Sequence, residues 1–210
     1  MKFQRSRGFT KALLLRVKPG NCNFLTPAVL LDTCVLYPAH LRDTLLLIAE
    51  SGQYRPLWSA EIIAELKRNL VDQVITATQF EYLASQLNEA FGDAQVADYE
   101  SLMFNLDCDT KDRHVLAAAI RGGASALITF NISDFPETST NKFDIAVYSP
   151  DEFLMSLLGQ HPEDIFAIVN GQGLRNLVAP RTLSEITAAL AQAGVPKFAD
   201  AILRFGRVRE

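Results

Sequence analysis

The chain has 210 residues, of which 49% are hydrophobic and 21% charged, a composition that is ordinary for a soluble globular protein. No apolar run approaches the roughly 20 residues that a membrane-spanning helix needs, so no membrane partner is expected. The three cysteines form neither a CxxC motif nor a Cys/His spacing typical of a metal site: Cys22, Cys34 and Cys108. This sparse, odd number favours reduced thiols in a cytoplasmic protein over a disulfide framework.

The formal net charge of −4 is unevenly distributed along the chain. Residues 1–27 contain six Lys or Arg and no acid, whereas the remaining residues carry 14 basic and 24 acidic side chains. A body with this excess of acid is not expected to bind phosphates by charge alone, so its acids either lie on the solvated surface or gather around a metal. The basic segment is either a flexible or wrongly assigned extension or an arm that binds nucleic acid. Its apolar stretch, ALLL, is too short for a secretory signal.

Short apolar segments alternate with amphipathic segments over the first two thirds of the chain. The apolar segments are predicted strands at 28–31, 54–59, 125–131 and 143–149. The amphipathic segments are predicted helices at 41–52, 60–71, 74–99 (one or two helices) and 112–123, with Ser59 placed to cap the second. This alternation predicts an α/β fold whose central parallel sheet is covered by helices on both faces.

The pattern changes near Pro150, beyond which only helices are predicted. Three amphipathic stretches follow, and Thr182 and Glu185 have the spacing of a capping box at the start of the last. We therefore expect three parts: a basic extension at 1–27, an α/β domain at 28–150 and a small helical appendage at 151–210.

Carboxylates follow several of the predicted strands, and sites in open α/β sheets form outside the carboxyl ends of the strands. Asp32 comes directly after the first strand, and Glu61 and Glu65 share one face of the helix after the second. Further acids flank the Ala-rich helix and follow the strand after it: Asp109, Asp112 and Asp134, with Asn131 beside the last. Like charges gathered at one edge repel each other, and a divalent cation relieves the repulsion. Ligands that are all oxygen atoms favour Mg²⁺ or Mn²⁺.

Each acid taken alone also has a structural interpretation. Asp32 and Asp134 suit turns, Glu61 suits a solvated helix surface, and Asp109 or Asp112 suits the N-terminus of a helix. The combined pattern is more specific than any one member. A histidine two positions after Asp112 stands about 200° further round an ideal helix, so His114 is expected to face away from the acids as a core or surface residue.

Four segments of the chain resemble, in order, the four motifs of PIN-domain nucleases: LLDTCVLYP, WSAEIIAELKRNL, DCDTKDRHVLAAAI and LITFNISDFP. The resemblance covers about residues 28–150, and the helical tail resembles the extension of a bacterial subgroup similar to VapC toxins. It implies a PIN-like α/β/α sandwich. It also places the catalytic, metal-holding acids of the family on Asp32, Glu65, Asp112 and Asp134, with Thr33, Asn131 and Asp109 supporting them. Cys34, where many members have Asn or Ser, and the long basic N-terminus depart from the family pattern.

The resemblance implies an Mg²⁺- or Mn²⁺-dependent endoribonuclease, in which a cation lowers the pKa of a water for in-line attack on a phosphodiester. For the VapC-like subgroup it further implies a toxin with a cognate protein antitoxin, acting on structured RNA such as tRNA; a homodimer is left open. Basic side chains near the acidic segments are candidate phosphate contacts or solvated surface: Arg42, Lys67, Arg68 and Arg113.

The sequence has three interpretations besides a metal-dependent endoribonuclease toxin. The DTC sequence superficially resembles the nucleophile motif of haloacid dehalogenases, but Cys34 stands where that family needs a second acid. A catalytically silent PIN-fold binding module is disfavoured because all four acids are present. An RNA-processing nuclease without a toxin role keeps the same chemistry and stays open.

Overall fold

The computed structural model describes residues 26–174 and 181–208. Its five strands form one sheet in the order β3-β2-β1-β4-β5, and every neighbouring pair is parallel. The strands are β1 (Ala28–Leu31), β2 (Arg55–Ser59), β3 (Gln95–Val96), β4 (Ala126–Ile128) and β5 (Ala146–Tyr148). The predicted α/β fold with a central parallel sheet is therefore confirmed. The predicted basic extension lies outside the described residues apart from positions 26 and 27.

Six α-helices accompany the strands: α1 (Thr33–Leu36), α2 (Ala39–Glu50), α3 (Ala60–Leu70), α4 (Ala77–Ala90), α5 (Arg113–Arg121) and α6 (Glu137–Thr140). Three short 3₁₀ helices lie between them, at Glu100–Asn105, Ile132–Asp134 and Asn141–Phe143. The Ser59 side chain accepts a 3.2 Å hydrogen bond from the backbone N–H of Ile62, so it caps α3 as expected.

The middle of the sheet forms the core of the molecule. Every residue of β1 and β4 is buried, and α5 packs against both strands and against β2. Strands covered on both faces are apolar throughout, because neither side of the pleat meets water. This explains why AVLL and ALI could be recognised as strands from their composition alone.

One strand was not predicted. The segment 74–99 was expected to form one or two helices, but α4 ends at Ala90 and the chain returns to the sheet as β3. Gln95 of β3 pairs with Trp58 of β2 at one edge of the sheet. Two residues are too few to show the alternation by which strands are recognised, which accounts for the error.

Beyond β5 the described chain is helical, as predicted. It forms α7 (Pro150–Gln160), α8 (Pro162–Leu174), α9 (Leu183–Gln192) and α10 (Pro196–Arg207), the last of which was not singled out from the sequence. The capping box at Thr182 is present, with both of its reciprocal hydrogen bonds. In residues 26–174 and 181–208, none of the helices has the length and apolar character needed to cross a bilayer.

Polar contacts join α8 to α2 and α10 to α7. The side-chain amide of Gln172 on α8 accepts a 2.7 Å hydrogen bond from the Thr44 hydroxyl and donates one of 3.1 Å to the backbone carbonyl of His40. On α10, the backbone N–H groups of Lys197 and Phe198 donate to the buried carboxylate of Asp151 from α7. The helical tail is thus packed onto the α/β body and not merely tethered to it.

Candidate active site

The strand order creates a crevice between the carboxyl ends of β1 and β4. From β1 the chain proceeds to β2 and β3 on one side, while β4 and β5 lie on the other. Such a switch point is where open α/β sheets bind ligands, because the connections diverge and leave a gap. The backbone N–H of Asp32 donates to the carbonyl of Ile128 at 3.1 Å, which fixes the first candidate acid at this point.

Asp32 lies at the N-cap of α1 and is 5% exposed. Its carboxylate accepts hydrogen bonds from the Thr33 backbone N–H at 2.6 Å, the Thr129 hydroxyl at 2.7 Å and the Cys34 thiol at 3.2 Å. A buried carboxylate is tolerated when such donors replace water. Asp32, at the end of buried strand β1, is therefore held by donors from the segments that follow the two central strands, β1 and β4.

Glu65 reaches the same crevice from α3. Its Oε2 atom accepts a 2.9 Å hydrogen bond from the Thr33 hydroxyl, which also lies 3.2 Å from the Ile62 carbonyl. Thr33 is the first residue of α1 and is adjacent to Asp32, so this one hydroxyl connects the helix after β1 to the helix after β2. Its supporting role at the site stays a prediction.

Asp112 is the N-cap residue of α5 and is half-buried. Burial raises the pKa of its carboxyl, and the negative charges of Asp32, Asp134 and Asp109 raise it further. The acids from these separate segments therefore act on one another electrostatically.

A cleft of about 570 Å³ collects most of the predicted site residues. Five of them line it: Asp32, Thr33, Glu65, Asp112 and Asn131. Asp134, half-buried in the 3₁₀ helix Ile132–Asp134, is not among the lining residues and acts on Asp112 through its charge. Asp109 is exposed, and its side chain accepts a 2.9 Å hydrogen bond from the Lys111 backbone N–H in the turn before α5.

The four basic residues that the sequence nominated are placed differently. Arg68 lines the cleft, where its guanidinium lies 2.9 Å from Glu61 and 3.7 Å from Glu65. Arg42 is buried and donates to the Leu36 carbonyl at 2.9 Å, so it supports the end of α1. The other two do not line the cleft: Lys67, which pairs with Glu81, and Arg113.

The expectation that His114 faces away from the acids is wrong. Its ring is buried, Nδ1 lies 2.8 Å from the Lys111 carbonyl oxygen, and Nε2 lies 3.7 Å from Oε2 of Glu65. The 200° rotation from Asp112 to His114 holds only if Asp112 is itself helical, but that residue is the N-cap, with φ −100° and ψ 1°. His114 is a buried histidine, as one alternative held, yet it contributes to the wall behind Glu65.

Sequence reasoning missed several residues of the cleft. Thr129 was not singled out, although it directly follows β4 and its hydroxyl holds Asp32 beside the cleft. Tyr37, Asn69 and Gln73 line the cleft itself. Asn69 stands four positions after Glu65 on α3, and this spacing could have indicated it, whereas Gln73 lies in the turn after α3.

Cys34 is accommodated by the site despite departing from the family pattern. Its sulfur contacts Asp32, lies 3.4 Å from the Thr129 hydroxyl and accepts a 3.3 Å hydrogen bond from the Phe130 backbone N–H. Burial, reinforced by the charge of Asp32, raises the pKa of the thiol to about 12. The protonated thiol therefore serves as a hydrogen-bond donor to Asp32 and not as a nucleophile.

Comparison with known families decides the assignment of the fold. A family model described as PIN domain matches residues 28–133, just over half of the 210-residue chain. The chain belongs to the PIN-domain family. The match contains Asp32, Glu65 and Asp112 of this PIN domain and ends one residue before Asp134.

Two further comparisons give a match for this PIN protein. A family model described as VapC50 C-terminal domain matches residues 150–204. A relative from Mycobacterium tuberculosis, named "Putative ribonuclease VapC50", is 34% identical over 101 residues, which is 48% of this chain and 59% of the relative. The chain thus spans well under two thirds of that relative's length. No solved structure matches.

The donor set of the PIN cleft fits a hard divalent cation. In the described parts of the chain, no group of three or more His, Cys, Asp or Glu side chains is clustered tightly enough to enclose a metal ion. Mg²⁺, however, keeps several waters and is usually held by one or two carboxylates together with substrate phosphates. Asp32 and Asp112 offer such carboxylates at the cleft. Burial and then the neighbouring negative charges raise the pKa of Asp112, and a cation would offset those charges.

Proposed function

We propose that this PIN-domain protein is an Mg²⁺- or Mn²⁺-dependent endoribonuclease that hydrolyses RNA phosphodiester bonds. The observation that carries the proposal is the convergence of Asp32, Glu65 and Asp112 on one cleft at the switch point of the sheet. These acids come from three separate segments of the chain, and Asn131 joins them from a fourth. Acids that only cap helices or stabilise turns need not converge on the ligand-binding crevice of the sheet.

The residues of the cleft have separable roles in this proposal. Asp32 and Asp112 hold the cation, with Glu65 and Asp134 contributing charge or further ligands. When bound, the divalent cation lowers the pKa of a water and offsets negative charge on the phosphate oxygens. Thr33 and Thr129 fix the carboxylates, and Arg68 meets a phosphate at the rim of the cleft. The Cys34 thiol at the cleft is not suited to act as a nucleophile, because its raised pKa keeps it protonated.

We further propose that the nuclease is the toxin of a type II toxin–antitoxin pair, acting in the cytoplasm on structured RNA such as tRNA. The match to the VapC50 C-terminal domain and the name of the mycobacterial relative support this proposal. In this assignment, residues 28–150 are the nuclease domain, 151–210 the helical appendage and 1–27 a basic extension. An RNA-processing nuclease without a toxin role would have the same cleft.

The test of the nuclease is cleavage of a labelled structured RNA by the full chain with Mg²⁺, with Mn²⁺ and with a chelator. Wild-type protein should cleave only with a cation, and Asp32→Asn should abolish cleavage while its unfolding profile stays cooperative. Asp93→Asn, an exposed acid that does not line the cleft, is the matched control and should cleave normally. Full activity of Asp32→Asn would refute the proposal, and RNA binding without cleavage by wild type would favour the silent binding module.

The toxin role has its own test. Induced wild-type protein should arrest growth, Asp32→Asn should not, and co-expression of a small protein from the neighbouring reading frame should restore growth. Sequencing of RNA 5′ ends after induction of each protein would identify the RNA and the bond. Discrete cuts without growth arrest would favour the RNA-processing nuclease.

A further inference from the structure

The cleft continues past the acids into a part that the proposed chemistry does not use. Besides the carboxylates and their supports, its lining includes Tyr37, Arg68, Asn69 and Gln73. These side chains bring one aromatic ring and two neutral amides next to the carboxylates. Neither a ring nor a neutral amide is a preferred ligand of Mg²⁺ or needed to activate water, so this part of the cleft calls for another explanation.

The position of these residues follows from the hydrogen bond between Thr33 and Glu65. Tyr37 stands four residues after Thr33, at the C-cap of α1, and Asn69 stands four residues after Glu65 on α3. Four helical residues advance the chain by about 6 Å, or one turn. Since both residues line the same cleft, the two helices carry the ring and the first amide one turn beyond the candidate acids.

These side chains are available to a ligand. Tyr37 is 38% exposed, and Asn69 and Gln73 are also exposed. Within residues 26–174 and 181–208, no hydrogen bond is made by the Tyr37 hydroxyl or by either amide. The backbone under the ring is nevertheless fixed, because buried Arg42 donates to the Leu36 carbonyl at 2.9 Å. Because its backbone is held in place and its hydroxyl makes no hydrogen bond among the described residues, the Tyr37 ring is suited to stacking on a ligand.

The charge of the cleft argues in the same direction. Arg68 is the one Lys or Arg among its described lining residues, and Glu61 and Glu65 already engage it. Three carboxylates line the same space: Asp32, Glu65 and Asp112. Basic side chains therefore supply little of the affinity for RNA phosphates here, and stacking and base-edge hydrogen bonds must contribute more than in a basic groove.

We propose that Tyr37, Asn69 and Gln73 form a subsite for one unpaired nucleobase next to the scissile phosphate, with the ring stacking on the base and the amides hydrogen-bonding to its edge. The inference rests on the proposed nuclease function and assigns the residues that would set its base preference. Bases within an RNA helix are stacked and paired, whereas bases in loops and single strands offer a free face and edge. The base that enters this subsite must therefore be unpaired, and the cut should fall beside a preferred base.

The first test is cleavage of a randomised single-stranded RNA pool in Mn²⁺, with cut positions read by sequencing. Wild type should prefer one base beside the cut, and Asn69→Ala or Gln73→Ala should flatten this preference. Tyr37→Ala should raise KM by about 5- to 150-fold, the range expected for one lost stacking contact, with a smaller change in kcat. Tyr37→Phe keeps the ring and should recover most of the affinity that Tyr37→Ala loses.

Matched controls come from α4, outside the cleft. Tyr82→Ala removes a tyrosine that is 67% exposed, and Asn88→Ala removes an exposed asparagine; both should leave KM and base preference unchanged. Cleavage by wild type without base preference, or a Tyr37→Ala protein indistinguishable from Tyr82→Ala, would overturn the subsite while leaving the nuclease intact.

A binding measurement separates the subsite from the chemistry. Asp32→Asn protein is titrated with a fluorescent single-stranded RNA enriched from the randomised pool by binding to this protein, and with the same RNA carrying one abasic ribose at the position that the enriched sequences share. Adding Tyr37→Ala or removing the base should each weaken binding at least about fivefold, and combining them should add little. If wild type cleaves no RNA, the nuclease proposal fails, and this titration still decides the subsite. Equal affinity for both RNAs would reject it.

Discussion

The hydroxyl of Thr129 offers a direct test of how the fold holds its candidate acid. Thr129 is fully buried, and its Oγ donates to Oδ2 of Asp32 at 2.7 Å and accepts from the Asn131 backbone N–H at 3.0 Å. Thr129→Val keeps the shape of the side chain and removes both bonds. It therefore isolates the hydroxyl from the packing around it.

The size of the effect can be worked out from these contacts. A hydrogen bond to a charged group contributes about 1.5–3 kcal/mol to stability. The second bond adds little, because Asn131 is exposed and water can replace the lost acceptor. In a chain of this size, 1 kcal/mol shifts the melting temperature by about 2–4 °C, so Thr129→Val should melt about 3–12 °C lower. Groups that orient ligand side chains typically change activity by about 10- to 100-fold, and cleavage should fall within that range.

The assay is thermal unfolding in a chelator together with RNA cleavage in Mn²⁺. Thr129→Ser is the control, because it keeps the hydroxyl and loses one buried methyl group, a change of about 1 kcal/mol. Thr129→Ser should keep most of its activity and Thr129→Val should not. A Thr129→Val protein that melts and cleaves like wild type would show that Asp32 does not depend on this donor.

Three further predictions concern the acids and the junction with the helical tail. Mn²⁺ at about 100 times its dissociation constant should stabilise the wild-type chain by about 2.7 kcal/mol, which raises its melting temperature by about 5–11 °C. The shift should be much smaller for Asp112→Asn. Equal shifts would argue against Asp112 as a ligand. Without metal, the raised pKa of Asp112 makes the chain less stable as pH rises. The contribution of this carboxyl to the free energy of unfolding is fully present below its pKa in the unfolded chain and is lost as pH rises through its pKa in the folded chain. Asp112→Asn should therefore unfold at higher urea than wild type at neutral pH and lose this advantage on acidification, in titrations with a chelator from pH 4 to 8. Gln172→Leu should cost about 1–3 kcal/mol in urea unfolding, because it removes two hydrogen bonds to α2 of about 0.5–1.5 kcal/mol each, while the Thr44 hydroxyl keeps its 2.9 Å bond to the His40 carbonyl. Exposed Gln192→Leu should cost little.

The sheet could be predicted from the sequence where burial is complete. The segments AVLL, RPLWS and ALI read as strands because water reaches few of their side chains. The edge strand β3 could not be predicted, since two residues carry no period and its place depends on pairing with Trp58. The helix α10 was likewise not singled out; its N-terminus is capped by Asp151, 47 residues earlier in sequence than its hydrogen-bond donor Phe198.

The candidate site was predictable as a set of acids but not as a geometry. Asp32 and Asp112 could be nominated because each stands where a strand or turn leads into a helix, and Glu65 because it shares a helix face with Glu61 and lies in a segment that resembles a family motif. The position of His114 could not, because it depends on where α5 begins, and helix boundaries are uncertain by one or two residues from sequence. Thr129 was missed because its role depends on β4 lying beside β1, a pairing between segments about 100 residues apart.

The two acids nearest the switch point are held in contrasting ways, and the contrast separates their roles. Asp32 is 5% exposed and has three protein donors, so its carboxylate is already oriented without a cation. Asp112 is half-buried, no protein side chain among the described residues donates to it, and burial together with three other acids raises its pKa. In the proposed metal site, neutralising Asp112 would therefore be the larger electrostatic gain from binding a cation, while Asp32 would supply a fixed ligand position. Cation affinity should accordingly respond to Asp112 mainly through charge, and to Asp32 through the donors that orient it.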